Sequence, residues 1–448
     1  MKLLLVSVII WEVAATHPKP ATILLMMASD RITFFCKLSD FSDSFFPYKR
    51  ITITMNLKYR ILYLLSSLLL TGCTSDNRPI VYNGEYISKE NVTSATIEQL
   101  DSLIESCDFI PLETGDSSLL SNIIDIQCYD DKFFVTSSVV GFMPEILVFD
   151  NRGKYLNRIG RPGRGPGEYL GLQTWYVDPY SQEAVIVDQA KRKVFRYGLD
   201  GQYIPDTETD MDSTLNNAKR LCPADSNTVI ACYGINPIRR DLLATYPANL
   251  QKQKPYRKTR QTWHGNRSYS SNPVGRDGDA YHVMLPLSDT ILRYRNGTWE
   301  PCYVITYFNE GKSYKPGKKE TDFEEIRQRA AERNFRYIRG LVENDRYILF
   351  EYLGGSILWD KQAKRGTYVA DGYNAERLNG FPFIPHTACY GADDYFVSVM
   401  TPSSFRDNAE TICKNNGRQS DELQRIAAKI SENDNPVLIV YHLKRQSR

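Results

Sequence analysis

Ile146-Leu147-Val148-Phe149-Asp150-Asn151-Arg152-Gly153-Lys154-Tyr155 is an apolar run closed by a polar, glycine-containing turn. It returns as Val194-Phe195-Arg196-Tyr197-Gly198-Leu199-Asp200-Gly201-Gln202-Tyr203. Gly153 and Gly201 stand 48 residues apart, and Gly297, in Arg295-Asn296-Gly297-Thr298, follows Gly201 by 96, twice that period. Midway lies Asn249, in Pro247-Ala248-Asn249-Leu250, where asparagine is expected to take the left-handed turn conformation otherwise left to glycine. Turns at this fixed spacing in a strand-rich chain indicate a β-propeller, with one four-stranded antiparallel blade per repeat. The 29 Tyr and 19 Phe agree, because aromatic side chains fit a pleated, half-buried surface.

The repeat counts out six blades. Blade one holds Ile123-Ile124-Asp125-Ile126, Phe133-Phe134-Val135 and Ile146 to Asp150; blade two repeats it from Trp175 to Tyr197. Blade three starts near Arg220, blade four carries Tyr281-His282-Val283, and blade five holds Tyr347 to Tyr352 and Ser356 to Trp359. The sixth runs from Tyr395 to Tyr441. Two insertions break the period, and both read as helical. One contains the capping-box pattern Thr321-Asp322-Phe323-Glu324 with Ile326 and Ala330 along one face. The other spaces Leu423, Ile426, Ala427 and Ile430 at i, i+3, i+4 and i+7. An open ring would expose a sheet edge, so the short strand at Ile110 is expected to pair with Val437 to Tyr441 and close it. The fold class is therefore all-β, a six-bladed propeller over residues 107–448 with two short helical insertions.

Ahead of the propeller, Met55-Asn56-Leu57-Lys58-Tyr59-Arg60 precedes the apolar core Ile61 to Leu70. Two cations and a ten-residue apolar core read as a secretory signal, too short for a membrane span. It ends in Leu70-Thr71-Gly72-Cys73, which looks like a bacterial lipobox. Signals of this type imply an acylated Cys73 at the mature N-terminus, and two or three acyl chains exceed what stable anchoring requires. Residues 55–72 are then the signal peptide, and 73–106 the lipidated cysteine and a tether that is polar from about Thr74 to Ala95. A complete signal at 55–72 leaves residues 1–54 as an upstream extension without a folded role. The rival reading places the signal at Met1 to Ala15.

From Cys73 onward the chain carries 47 Lys and Arg against 49 Asp and Glu, a balance that argues against nucleic acid as a partner. The seven cysteines beyond Cys73 form no C-x-x-C pair, so neither a full disulfide framework nor a zinc site is expected; a Cys222–Cys232 bridge stays open. No cofactor is implied, and the reading is of a monomer.

At Arg158-Ile159-Gly160-Arg161-Pro162-Gly163-Arg164-Gly165-Pro166-Gly167-Glu168-Tyr169 the chain resembles NHL-like six-bladed β-propellers. More narrowly, it is similar to the propeller lipoproteins of anaerobic Gram-negative gut bacteria. Phe109-Ile110-Pro111-Leu112-Glu113, Leu287-Ser288-Asp289-Thr290-Ile291 and Glu432-Asn433-Asp434-Asn435-Pro436-Val437 to Tyr441 extend the resemblance over nearly all of the mature chain. It implies a cell-envelope, lipid-anchored protein, with an outer-membrane location. It does not imply an activity.

Candidate site residues are few. Gly160 to Gly167 lacks the Gly-Lys-Ser/Thr ending of a phosphate loop and reads as a blade-to-blade crossing, with Arg161 and Arg164 left as anion contacts. The four mature His (His264, His282, His386 and His442) form no H-E-x-x-H or H-x-H pair, and there is no G-x-S-x-G elbow. Leu242 to Arg276 is rich in cations, contains no acid, and interleaves Tyr256, Trp263, His264 and Tyr269. Arg257, Arg260, Trp263 and His264 there suit an anionic saccharide, against the plainer reading of a solvated loop between outer strands. The sequence thus points to a non-catalytic binding module for a glycan, peptide or protein partner. The alternative is a hydrolase or lyase acting on a saccharide at the central channel.

Overall fold

The computed structural model describes residues 84–95, 103–138, 143–233, 241–258, 273–285, 288–308, 338–352, 355–370, 389–390, 395–415 and 420–444, with residues 328, 329, 332 and 336 and four strands before residue 54. The chain divides into two units, Met1–Val81 and Tyr82–Arg448. In the first, Leu5–Ile10, Ala21–Ala28, Arg31–Lys37 and Lys49–Ile53 form an antiparallel four-stranded meander, in the stretch read from sequence as an extension without a folded role. The lipobox, Leu70 to Cys73, lies outside the described residues.

The second unit is a six-bladed β-propeller. Blade 1 is Asn122–Tyr129, Lys132–Ser138, Glu145–Asp150 and Tyr155–Arg158; blade 2 is Leu172–Asp178, Glu183–Asp188, Lys193–Gly198 and Thr209–Asp210. Blade 3 is Ala218–Asp225, Thr228–Tyr233, Asp241–Pro247 and Lys254–Lys258; blade 4 is Val274–Asp277, Ala280–Met284, Thr290–Arg295 and Thr298–Ile305. Blade 5 is Ile338–Glu343, Tyr347–Tyr352, Gly355–Asp360 and Arg365–Ala370. Each is an antiparallel meander running outward from the axis. The middle strands are mostly apolar because both of their faces are covered: Ala184 to Asp188 and Ala280 to Met284 are buried throughout.

Six buried clusters show that the blades form a ring. Each cluster lies between two consecutive blades, from Phe134 and Ile146 against Trp175 and Ile186 (blades 1 and 2) to Leu349 and Leu358 against Ile439 and Tyr441 (blades 5 and 6). The last joins Val397, Leu438 and Val440 of blade 6 to Ile126, Phe133 and Leu147 of blade 1. Closure follows the expected route. Phe396–Met400 and Val437–Leu443 pair with Ile104–Pro111, in a register that sets Leu438 opposite Ile110, so both ends of the unit build blade 6. Asn435 locks the seam. Its side chain, 1% exposed, accepts from Leu120 N at 2.7 Å and donates to the Glu113 and Ser118 carbonyls, each at 2.7 Å.

Several expectations are refined. The second insertion forms helices Pro402–Asn415 and Ser420–Ala427, with Leu423 and Ile430 buried and Ile426 and Ala427 packed on the same core. Of the first, Gln328, Arg329, Glu332 and Arg336 are described; the first three are helical and exposed. At the third turn the left-handed residues are Leu250 (φ 58°) and Lys252 (φ 59°), not Asn249. The Asn249 carboxamide instead accepts from Gln251 N, and burial of the Leu250 side chain between blades 2 and 3 fixes its backbone. Cys222 and Cys232 form no disulfide, and burial, with Cys222 nearby, holds the Cys232 thiol well above its usual range.

The largest departure lies in the stretch read as a tether. Glu85–Ile87 and Val92–Ser94 are strands, added in parallel to the outer edges of blades 4 and 5. Ile87 is fully buried and Val92 nearly so. Two short apolar residues among polar ones give no periodicity to read, and the parallel pairing is dictated by strands more than 200 residues away.

Candidate functional site

A cleft of about 670 Å³ opens between the outer parts of blades 1 and 2. Its walls are Tyr155, Asn157 and Arg158 on the last strand of blade 1, the crossing from Gly160 to Glu168, and the turn from Asp200 to Tyr203. Glycine makes this packing possible. Gly160 has φ +60° and a Cβ there would lie 2.8 Å from the Tyr197 ring; Gly201 has φ +86° and a Cβ would run into the Arg158 carbonyl oxygen. The crossing is tied down internally: Glu168 accepts from Gly165 N at 2.7 Å, and Lys191 Nζ donates to the Gly165 and Glu168 carbonyls at 3.1 and 2.6 Å. Tyr197 OH donates to the Gly167 carbonyl at 2.8 Å, and burial pushes that phenol far above its usual range. The glycine-rich segment is therefore a structural crossing, as its sequence indicated.

The cleft's polar groups divide into committed and presented ones. Arg158 donates to Glu145 and to the Ser117 carbonyl, both at 3.1 Å. Asn157 Nδ2 donates to the Leu199 carbonyl at 3.3 Å. Tyr203 OH donates to Glu208 at 2.5 Å, and burial, with that carboxylate beside it, raises its pKa to about 12. Arg161, Asp200 and Gln202 are exposed on the rim, where one Asp200 oxygen accepts from Gln202 N at 3.0 Å. The rings of Tyr155 and Tyr203 are half-buried in the wall. Such a surface offers a cation, a carboxylate and a carboxamide beside two aromatic faces, the groups that hydrogen-bond hydroxyls and stack on sugar rings. Arg164 is exposed but does not line the cleft.

A second constellation is buried between blades 4 and 5. His282 Nδ1 lies 2.9 and 3.0 Å from the two Glu343 oxygens, and Lys361 Nζ lies 3.0 Å from Glu343 Oε1 and 3.2 Å from Asp277 Oδ1. Asp277, His282 and Glu343 have the spacing of a metal-ligand trio. The Lys361 ammonium, however, already bridges the two carboxylates where a cation would sit. Burial alone would lower the His282 pKa, but Glu343 and Cys302 together outweigh it and raise it to about 10. Burial would likewise raise Glu343, yet His282 and then Lys361 hold it below its usual range. The result is an alternating, charge-balanced chain of imidazolium, carboxylate, ammonium and carboxylate that ties the blades together. Sequence reading missed Asp277, Glu343 and Lys361. The available signal was His282 itself, flanked by apolar residues in a strand covered on both faces, where a histidine requires a buried partner.

The other sequence candidates are dispersed. Lys254 to Lys258 is the outer strand of blade 3, so this part of the basic stretch is sheet and not loop. Arg257 is exposed on it, and Tyr256 stacks on Trp299 of blade 4 with ring centroids 5.0 Å apart. Arg260, Trp263 and His264 lie outside the described residues, as does His386. His442 Nε2 lies 2.9 Å from Asp108 across the closing pair of strands. Near the axis, Arg220 of blade 3 grips Asp125 of blade 1 through two bonds of 2.9 and 2.6 Å, joining innermost strands on either side of blade 2.

No curated protein matches the chain by sequence. Among solved structures it resembles the "putative exported protein" of Bacteroides fragilis NCTC 9343, with 18% identity, a TM-score of 0.62, and coverage of 80% of this chain and 99% of that one. A member of the DUF4221 family from Bacteroides vulgatus ATCC 8482 aligns at 11% identity with a TM-score of 0.46, over 76% of this chain and 97% of that one. At these identities the first likeness speaks for the propeller fold alone. The sequence profile of one family, by contrast, runs from Ile87, the buried residue of the first edge strand, to His442 in the closing blade, and so takes in all six blades. The chain belongs to that family, the domain of unknown function DUF4934, matched over residues 87–442.

Proposed function

We propose that this chain is a lipid-anchored propeller of the cell envelope that binds a saccharide, without catalysing its breakdown, in the cleft between blades 1 and 2. The observation that carries the reading is the division of labour in that cleft. Glu168, Arg158 and Tyr203 are engaged in holding its walls, while Arg161, Asp200 and Gln202 stand on the rim above two half-buried tyrosine rings. Two carboxylates line the cleft, but Glu168 is held by Gly165 N, which leaves Asp200 on the rim with the Arg161 guanidinium to hydrogen-bond hydroxyls. Glycosidic cleavage in the usual two-carboxylate manner needs a facing pair of acids at a defined separation. The anchor rests on the order of cations, apolar core and Leu70-Thr71-Gly72-Cys73.

Glycan-array binding of the mature domain tests the cleft. Arg161→Ala combined with Gln202→Ala should remove retention of any glycan that binds, with stability unchanged within about 1 kcal/mol because both side chains are exposed. Retention by the double variant would refute the cleft as the site. Cys73→Ser should release the protein from the membrane fraction, and the mass of the mature N-terminus reports acylation directly. The basic stretch with Arg257, Arg260 and Trp263 is the competing location; loss of binding on their replacement, with the cleft variant still active, would move the site there.

A further inference from the structure

Residues 84–95 form a strap with built seats. Glu85 to Ile87 runs parallel to Tyr303 to Ile305, and Thr306 N donates to the Ile87 carbonyl at 2.8 Å. After a turn at Ser88 to Asn91, Val92 to Ser94 runs parallel to Gly366 to Tyr368; Gly366 N donates to the Asn91 carbonyl at 2.8 Å and Ala95 N to the Tyr368 carbonyl at 2.9 Å. A Cβ on Gly84 would lie 2.7 Å from the Cys302 carbonyl oxygen, and one on Gly366 would lie 2.8 Å from Val92 Cγ2, so each blade edge is shaped to receive the strap. Ile87 and Val92 are sealed into the core between blades 4 and 5. The chain is therefore fixed to the ring from Gly84 onward, on the outer edge of two adjacent blades.

Only ten residues separate Gly84 from Cys73. Even fully extended, they and the flanking bonds span no more than about 40 Å. In a six-membered ring, blades 4 and 5 stand diametrically opposite blades 1 and 2. We infer that the outer edge of blades 4 and 5 is the membrane-facing edge of the propeller, with a phospholipid headgroup surface as its partner, and that the strap is a strut that orients the cleft away from that surface. The inference rests on the reading of Cys73 as the lipid anchor. The surface around the strap suits the place. Tyr86 is 47% exposed, as an interfacial aromatic would be; Lys89 on the strap and Lys364 and Arg365 on the edge of blade 5 are exposed, against Glu85, which pairs with Lys364, Glu90, and Glu300 on the outer strand of blade 4.

The test uses the acylated protein in phosphatidylethanolamine–phosphatidylglycerol vesicles containing a nickel-chelating headgroup lipid. A ketone-bearing amino acid, coupled to a spin label, is placed at residue 364 beside the strap or at residue 200 on the cleft rim. Relaxation enhancement by the headgroup nickel should be several-fold greater at 364 than at 200. Equal enhancement at the two positions, in protein that floats with the vesicles, would overturn the orientation while leaving the anchor intact. Protein that does not float would instead refute the anchor. Gly84→Val supplies the control on the strut: with flotation retained, the difference between the two labels should shrink toward none, and an unchanged difference would show that the strap does not set the orientation.

Discussion

Replacing Glu343 by Gln keeps the side chain's shape and removes the one charge on which the blade 4–5 network turns. Glu343 is fully buried and holds His282 at 2.9 Å and Lys361 at 3.0 Å. Without it, Lys361 keeps Asp277 and the Asn344 carbonyl, and His282 loses the anion that holds it protonated. Removing one partner of a buried pair costs about 3–5 kcal/mol. The linkage of His282 gives a second route to the same magnitude. With a folded pKa of about 10 against the ordinary 6.5, its contribution is fully present below pH 6.5 and is lost as pH rises through 10. That contribution amounts to about 4 kcal/mol at pH 7 and about 1 kcal/mol at pH 9.5. Glu343 has the opposite sense: its depressed pKa stabilises above the ordinary carboxylate value and is lost in acid. Burial lowers the Lys219 pKa, which makes stability rise with pH, but that slope is common to both proteins and cancels in their difference. Urea unfolding at pH 7 and 9.5 is the assay. Wild type should lose about 3 kcal/mol over this interval relative to E343Q, which should already be less stable by that order at pH 7. Coincident urea midpoints at pH 7, or parallel pH slopes, would refute the network as a charged clasp.

Asn435→Ala removes three buried side-chain hydrogen bonds at the seam between blades 6 and 1 and should cost about 3 kcal/mol, read as a shift in urea midpoint, with Asn435→Asp no better because two carbonyls would face a carboxylate. Gly201→Ala forces a side chain into φ +86° against the Arg158 carbonyl and should destabilise by at least about 2 kcal/mol, whereas Gly278→Ala, with open space around its Cβ, should show only the smaller cost of its positive φ. Truncation before Val437 deletes the strand that pairs Ile104–Pro111 and should abolish cooperative unfolding of the whole ring, measured by near-UV circular dichroism; a retained sharp transition would show that blade 6 is dispensable.

The fold was legible because a propeller repeats its demands. Every blade needs two strands covered on both faces and a tight turn between them, so Ala184 to Asp188 and Tyr347 to Tyr352 carry the same apolar signature and the glycine turns return on schedule. Leu423 to Ile430 was legible for the same kind of reason, since a helix lying on one core must repeat its apolar face. The strap was not. Its six paired residues follow no period, and their conformation is imposed by the edges of blades 4 and 5, which are remote in sequence. Asn249 shows how local and tertiary preferences compete: its own propensity favoured the left-handed turn, but burial of Leu250 took that conformation one residue further on.

Sites in a propeller are harder to read because they form at boundaries between repeats, and each repeat contributes one or two residues. The Asp277, His282, Glu343 and Lys361 network takes its members from two blades, with 61 residues separating the two that bond most closely. The cleft draws on the outer strand of one blade and the third turn of the next. Of the residues singled out in the glycine-rich crossing, Arg161 reaches the cleft and Arg164 does not, although each follows a glycine. What separates them is the turn of the crossing. Gly163 N donates to the Tyr169 carbonyl and Tyr169 N to the Arg161 carbonyl, which folds the segment back so that its start and its end meet the cleft while Arg164 rides on the outer bend. The fold of the crossing therefore decides which side chain is presented. Inserting one residue between Gly163 and Gly165 should leave the blades intact yet displace the crossing from Tyr169, and with it any ligand retained through Arg161. Loss of binding at an unchanged unfolding midpoint would then mark the crossing as part of the site, and unchanged binding would confine it to the blade scaffold.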